Sequence, residues 1–328
     1  REEGRSAEGE AKGAGIHERT KRGFGQGLNE LRRGSVAMFT QSITRATWRL
    51  KPPVLALGGG GARGFAHLGV LQVLEEFGLP IRSIVGTSMG AVAGGMFLAH
   101  GSAQKSIELW REAIADGLIP SVRPIGKVPH AETKEHPLIQ VARKIRNRVV
   151  ITFAMNRNTI LESKELEEAL ELLIPDLTFE DLPKPLVVVA TDLDNGDEIR
   201  IREGSLRKAL DASSAIPGFV PAVQIDDRWL VDGGVVAEVP AVAAREEGWP
   251  VIAVDVSLDV PPIGEDDLVL DTMMRTQMMT ARLLRRQQLR SATRVIRPDV
   301  GRARWAEWNR FEEFVEAGRV ATREFLGL

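Results

Sequence analysis

Short all-apolar runs alternate with helically spaced ones through the middle of the chain. Val54-Leu55-Ala56-Leu57 is four apolar residues without a polar face, which predicts a short strand covered on both sides. From Ala66 to Phe77 the apolar positions Leu68, Leu71, Val73 and Leu74 follow helical spacing, and Gly78-Leu79-Pro80 stops the helix. Ile81 to Val85 predicts the next strand. Strand, helix, strand over Val54–Val85 is a βαβ crossover, whose two strands should be parallel. The loops after both strands then meet at the carboxyl edge of one sheet, where ligands bind in such sheets.

Further along, Leu186-Val187-Val188-Val189-Ala190 and Val251-Ile252-Ala253-Val254-Asp255-Val256 predict buried strands. Asn195-Gly196 predicts a hairpin turn into Glu198-Ile199-Arg200-Ile201-Arg202. Leu206 to Ser213 reads as a short helix stopped at Ile216-Pro217-Gly218, and Trp229-Leu230-Val231 leads into Asp232-Gly233-Gly234. Residues 102–182 read as mainly helical. Their Leu138, Val141, Ala142, Ile145 and Val149 form one face, with basic residues over the rest; the expected role is a surface helix with its apolar face in the core.

The flanks are less regular. Residues 1–23 are polar and Gly-rich and read as a tail. Between Leu28 and Leu50 an irregular apolar pattern with Arg32, Arg33, Arg45 and Arg49 suggests a weakly amphipathic basic helix, lying on the domain or touching a membrane surface. After Pro261-Pro262 the chain turns helical and arginine-rich. There Met273, Met274, Met278 and Met279 are expected to fill core, and Trp305, Trp308, Phe311 and Phe314 to dock on the domain. The expected organisation is an N-terminal extension over 1–50 and one domain over 51–328, its helical C-terminal part covering 262–328.

Composition removes several classes. Charged residues make up 27% with a net charge of −2, so no global field points to nucleic acid. The absence of cysteine excludes disulfides and thiolate metal sites, and the absence of tyrosine excludes a phenolic acid or base. Asp192, Asp194 and Asp197 lack the downstream glutamate of a calcium loop, so no metal is expected. No apolar run is long enough to span a bilayer. The expectation is a soluble, cytoplasmic protein with room for peripheral membrane contact. The chain begins at Arg1 rather than Met, as a processed product or a piece of a longer chain would.

Two motifs carry chemistry. Gly59-x-Gly61-x-x-Gly64, after a strand and before a helix, matches a dinucleotide fingerprint. The acidic residue needed at the end of the second strand is missing, for Ile84-Val85-Gly86 stands there. No Gly-Lys-Ser/Thr follows either, so an NTPase phosphate loop fails. What remains for bare amides at a helix N-terminus is to hold a developing oxyanion. Gly60 and Gly61 are the best donors, Gly59 belongs to the same loop, and Arg63 is open between steadying that charge and anchoring the loop. The second motif, Gly86-Thr87-Ser88-Met89-Gly90, fits the G-x-S-x-G nucleophile elbow: a serine on a tight strand-to-helix bend, with glycines where strand and helix nearly touch.

A nucleophilic serine needs a base. The five histidines, His17, His67, His100, His130 and His136, all precede Asp232, so the Ser, Asp/Glu, His order of α/β-hydrolases is absent. A lone carboxylate is the simplest remaining base. Asp232, with apolar residues before it and Gly233-Gly234 after it, can turn out of a strand end with little crowding.

Taken together and in this order, Gly59 to Gly64, Gly86 to Gly90 and Asp232 to Gly234 resemble the patatin-like phospholipase family, in its compact bacterial branch. Ala212-Ser213-Ser214-Ala215-Ile216-Pro217-Gly218 resembles the loop that such enzymes place before the aspartate. The resemblance covers 54–256. It implies a three-layer α/β/α fold with a largely parallel central sheet, and a Ser–Asp dyad lipid acyl hydrolase. Ser88 would be the nucleophile, Asp232 the base, and the glycine-loop amides the oxyanion hole. The substrate would be a lipid or other ester, with no cofactor and no metal. The alternatives are an acyltransferase on the same dyad or a non-catalytic lipid-binding regulatory module. Oligomeric state stays open.

Overall fold

A computed structural model of the chain describes residues 47–118, 163–260, 269–303 and 306–328. The expected tail over 1–23, nearly all of the basic stretch over 28–50, the basic helix over 138–149 and Trp305 lie outside these residues. The described strands are β1 (Val54–Leu57), β2 (Ser83–Thr87), β3 (Leu186–Asp192), β4 (Glu198–Ile201), β5 (Val223–Ile225), β6 (Arg228–Asp232), β7 (Val251–Val254) and β8 (Arg294–Ile296). They form one sheet in the order β5-β6-β3-β2-β1-β7-β8, with β4 also paired to β3. The run β3-β2-β1-β7-β8 is parallel, whereas β4, β5 and β6 pair antiparallel. The β1 and β2 strands are therefore parallel, in the register Val54 opposite Ser83 through Leu57 opposite Gly86, as the βαβ reading expects.

Both faces of the sheet are covered at β1, β2, β3 and β7, which are buried along their whole length, and this is why these strands show no polar–apolar alternation. Leu55, Leu57, Ile84 and Val188 join one core cluster, while Val54, Ala56, Val85, Val187 and Val189 join another. The first cluster takes side chains from α1 (Ala66–Phe77), α2 (Met89–His100), α3 (Ala103–Ala115), α4 (Ser163–Leu173), α5 (Leu206–Ser214) and α9 (Phe311–Leu326). The second takes Ala237 of α6 (Gly234–Ala237), and Ala241 and Ala244 of α7 (Ala241–Glu246). Helices therefore lie on both sides of a largely parallel sheet: the α/β/α sandwich.

The last long helices show how the C-terminal part joins this body. In α8 (Val269–Gln288), Met278 and Met279 are 36% and 44% exposed, so these two methionines do not fill core as expected; they sit on the outward face of the helix. Phe311 and Phe314 are buried and Trp308 half-buried, so that stripe docks on the domain. Phe65, just after the glycine loop, meets Trp110, Trp308 and Phe311 edge-on at centroid distances of 4.8, 5.6 and 4.7 Å. Gly69 and Gly318 mark where α1 and α9 cross. A Cβ on Gly69 would run into the Val315 carbonyl, and one on Gly318 into the Ala66 carbonyl. No helix among the described residues is long and apolar enough to cross a membrane.

Candidate active site

Ser88 sits between β2 and α2 with φ 52° and ψ −128°. A non-glycine residue in this region is strained, and the strain is the mark of a nucleophile elbow. The glycines around it explain how the bend closes. A Cβ on Gly86 would collide with the Ala91 backbone, and one on Gly90 with the carbonyl oxygens of Leu57 and Gly58. The serine is 7% exposed. Its own amide donates to Ser213 Oγ at 2.8 Å, and that hydroxyl donates on to the Val189 carbonyl at 2.6 Å. Ser213 thus ties the elbow to α5 and β3. The motif around it was visible in the sequence; its hydrogen bond to the Ser88 amide was not.

Asp232 ends β6 and reaches the same point. Ser88 Oγ donates to Asp232 Oδ2 at 2.6 Å, and the other carboxylate oxygen accepts the Gly234 amide at 2.7 Å. The aspartate backbone is fixed as well: its amide donates to the Ala215 carbonyl at 2.9 Å, and its carbonyl accepts Thr191 Oγ1 at 3.0 Å. Gly233 allows β6 to turn here, because a Cβ would strike the Val189 carbonyl; at Gly234 it would crowd Asp232 Oδ1 at 2.9 Å. Burial pushes the Asp232 carboxyl from its ordinary 3.8 up to about 6. The bonds from Ser88 and Gly234 pull it back, and the Glu238 carboxylate adds to the rise.

The glycine loop passes beside the serine, with the ideal Cβ position of Gly59 3.4 Å from Ser88 Cβ. Its amides divide into two sets. Gly58 N–H donates to Val254 O at 3.1 Å and Gly59 N–H to Glu238 O at 2.8 Å. The amides of Gly60 and Gly61 make no hydrogen bond among the described residues. This removes Gly59 from the expected oxyanion donors, because its hydrogen is already taken. Met89 N–H, at the first turn of α2, is likewise uncommitted; it is a further donor that the motif reading did not single out. Gly61 has φ +57°, and at Gly60 a Cβ would lie 2.8 Å from Val256 Cγ2. Gly64 lets Met89 pack against the loop.

Of the two roles expected of Arg63, its hydrogen bonds fit the anchoring of the loop. The arginine is 9% exposed, donating from Nε to Val256 O at 3.1 Å and from a terminal nitrogen to Ala303 O at 3.2 Å. The guanidinium therefore clasps the loop to the chain after β7 and to the C-terminal part. Burial lowers its pKa, opposed by the Glu238 carboxylate. Arg285 of α8 approaches Glu238 at 3.5 Å and Asp255 at 3.9 Å, behind the same loop. His67 has Nε2 2.7 Å from the Gly58 carbonyl, which only accepts, so the ring donates; burial drives its pKa down to about 4 and keeps it neutral. His100 binds the Leu173 carbonyl. Among the described residues no histidine hydrogen-bonds Ser88, and no cluster of three or more His, Cys, Asp or Glu could hold a metal ion.

Fold and site together are an α/β sandwich with a strained serine turn, a buried Ser–Asp hydrogen bond and a glycine loop at one sheet edge. The chain belongs to the patatin-like phospholipase family, whose model matches residues 55–245. An uncharacterized NTE family protein of Mycobacterium tuberculosis (strain ATCC 25618 / H37Rv) is 32% identical over 189 residues, covering 57% of this chain and 43% of that protein. Another from the same strain is 30% identical over 298 residues, covering 83% of this chain and 46% of that one. The chain thus spans less than half the length of these relatives. Among solved structures, VipD from Legionella pneumophila aligns over 84% of this chain and 66% of its own, with TM-score 0.39 and 15% identity.

Proposed function

We propose that this chain is a lipid acyl hydrolase, a phospholipase A or carboxylesterase, working through a Ser88–Asp232 dyad. The observation that carries the reading is the 2.6 Å hydrogen bond from Ser88 Oγ to Asp232 Oδ2 on a strained elbow. The uncommitted Gly60 and Gly61 amides lie in the adjoining loop. Asp232, ionised above about pH 6, takes the hydroxyl proton as Ser88 Oγ attacks the ester carbonyl carbon. The carbonyl oxygen gains the negative charge and is held by the loop amides, which have no other hydrogen bond to give up. Collapse breaks the bond to the alcohol oxygen, which leaves with the proton from Asp232. Water then attacks the acyl-serine, giving its proton to Asp232, and the acid departs as Ser88 recovers its hydrogen.

A bilayer substrate would bring the protein to a lipid surface. Val235, directly after Gly234, is 52% exposed, and Leu283 on α8 is 67% exposed; such apolar side chains suit peripheral contact. The test is release of fatty acid from phospholipid vesicles by native protein, Ser88→Ala and Asp232→Ala, with and without a lysolipid acceptor. Release by native protein alone supports hydrolysis, and acyl transfer to the acceptor in place of release moves the reading to an acyltransferase. Folded native protein that turns over no ester, yet floats with vesicles as well as Ser88→Ala does, overturns the catalytic reading in favour of a lipid-binding module.

A further inference from the structure

A second cleft lies on the α4–α5 side of the domain, with a volume of about 470 Å³, within the range of small-molecule sites. None of its lining residues belongs to the dyad, the glycine loop or the elbow. Leu170 of α4 and Pro221, Ala222 and Val223 before and in β5 provide apolar walls, and Asp211 of α5 provides a carboxyl. Asp211 is only 6% exposed, yet its Oδ1 has no hydrogen-bond partner and no cation pairs with it among the described residues. Leaving a carboxyl oxygen buried and unpartnered is costly, and such groups in folded proteins usually have a partner.

The neighbouring charges indicate what is missing. Burial pushes the Asp211 carboxyl up to about 7, and the negative charge of nearby Glu167 adds to the rise. Glu171 adds a third acid on the lining. Two cations share the lining: the Arg207 guanidinium is already spent on the carbonyls of Ile174 and Glu171, and Lys208 makes no ion pair with Asp211 among the described residues. A ligand whose only charge was negative would meet these acids unfavourably, and a neutral one would leave the repulsion between Asp211 and Glu167 in place. An ammonium group relieves both the unmade hydrogen bond and the repulsion.

We propose that this cleft binds a small organic ammonium compound, its charged nitrogen on Asp211 and its carbon skeleton against Leu170, Pro221 and Val223. The site also sits where occupancy would be felt by the dyad. Two residues beyond Asp211 on the same helix, Ser213 accepts the Ser88 amide, and after the helix the Ala215 carbonyl accepts the Asp232 amide.

Isothermal titration of the full chain with 2-phenylethylammonium chloride tests this, with neutral 2-phenylethanol as the matched control. Ser88→Ala protein is used in parallel, so that the result stands apart from any turnover. The expected result is saturable binding of the ammonium, and binding of the alcohol weaker by about tenfold or more, the size of one charge-assisted hydrogen bond. Asp211→Asn should weaken the ammonium by a similar factor. Should that variant misfold, Ala222→Trp, which fills the cleft from its opposite wall, should abolish binding with the fold kept. Competition by soluble dihexanoyl phosphatidylethanolamine assigns the ammonium to a lipid head group, and its absence assigns a free amine. No saturable binding, or binding undiminished in folded Asp211→Asn or Ala222→Trp protein, overturns the proposal.

Discussion

Replacing Asp232 with asparagine should make the protein more stable while removing its activity, and only above a certain pH. The carboxyl is buried, and its pKa rises from 3.8 to about 6 on folding. A raised folded pKa means that the folded state binds protons more tightly than the unfolded chain. The contribution to stability is therefore favourable at low pH and is lost as pH rises through about 6. Above that, holding the ionised carboxylate costs about two pKa units, or ~3 kcal/mol at 1.36 kcal/mol per unit. Asparagine keeps the shape. Its oxygen can accept the Gly234 amide as Asp232 Oδ1 does, and its NH2 can face Ser88 Oγ. Urea unfolding of both proteins at pH 8 should then show Asp232→Asn more stable by ~3 kcal/mol, shrinking as the pH falls below about 6 and reaching about zero near pH 3, where the carboxyl is protonated in both states. A variant that is equally or less stable than native at pH 8, or a difference that does not shrink on acidification, would refute the reasoning.

Three further substitutions separate the site from its supports. Gly60→Val places side-chain atoms where Val256 already lies; the loop must shift, and ester turnover should fall ~10²–10³-fold, the usual loss for a misplaced oxyanion donor, with circular dichroism unchanged. Ser213→Ala strands the buried Ser88 amide and the Val189 carbonyl, and should cost about 1–3 kcal/mol in chemical denaturation together with reduced kcat. Gly318→Val drives a side chain into the Ala66 carbonyl at the α1–α9 crossing. Since backbone cannot yield as a side chain does, a loss on the order of 3 kcal/mol is expected in thermal or urea unfolding.

The sequence was most informative where local pattern and tertiary role coincide. The Val54–Val85 crossover could be read because four apolar residues, a helical period and a Gly-Leu-Pro stop leave little alternative, and the observed β1 and α1 have the expected bounds. Asp232 stood out only in combination with two motifs far from it in the chain, since Asp-Gly-Gly alone is an ordinary turn. What could not be read depends on contacts across the fold. Nothing near Gly59 in sequence reveals that its amide is taken by Glu238, or that Arg63 spans the carbonyls of Val256 and Ala303. Nothing in the local sequence around Gly69 or Gly318 reveals the α1–α9 crossing, where a Cβ on either would meet a backbone carbonyl. The methionine spacing in α8 gave a helix, but which side of it faces the core is set by packing, and Met278 and Met279 fall on the other side.

Covalent labelling by a fluorophosphonate tests the central claim most directly, because the probe reports an activated serine whatever the natural ester. Native protein at pH 8 should form one adduct, mapped by peptide mass spectrometry to Ser88, and labelling should vanish in Ser88→Ala and fall steeply in Asp232→Asn. An adduct on another residue, or labelling by folded Asp232→Asn at the native rate, would contradict the Ser88–Asp232 dyad.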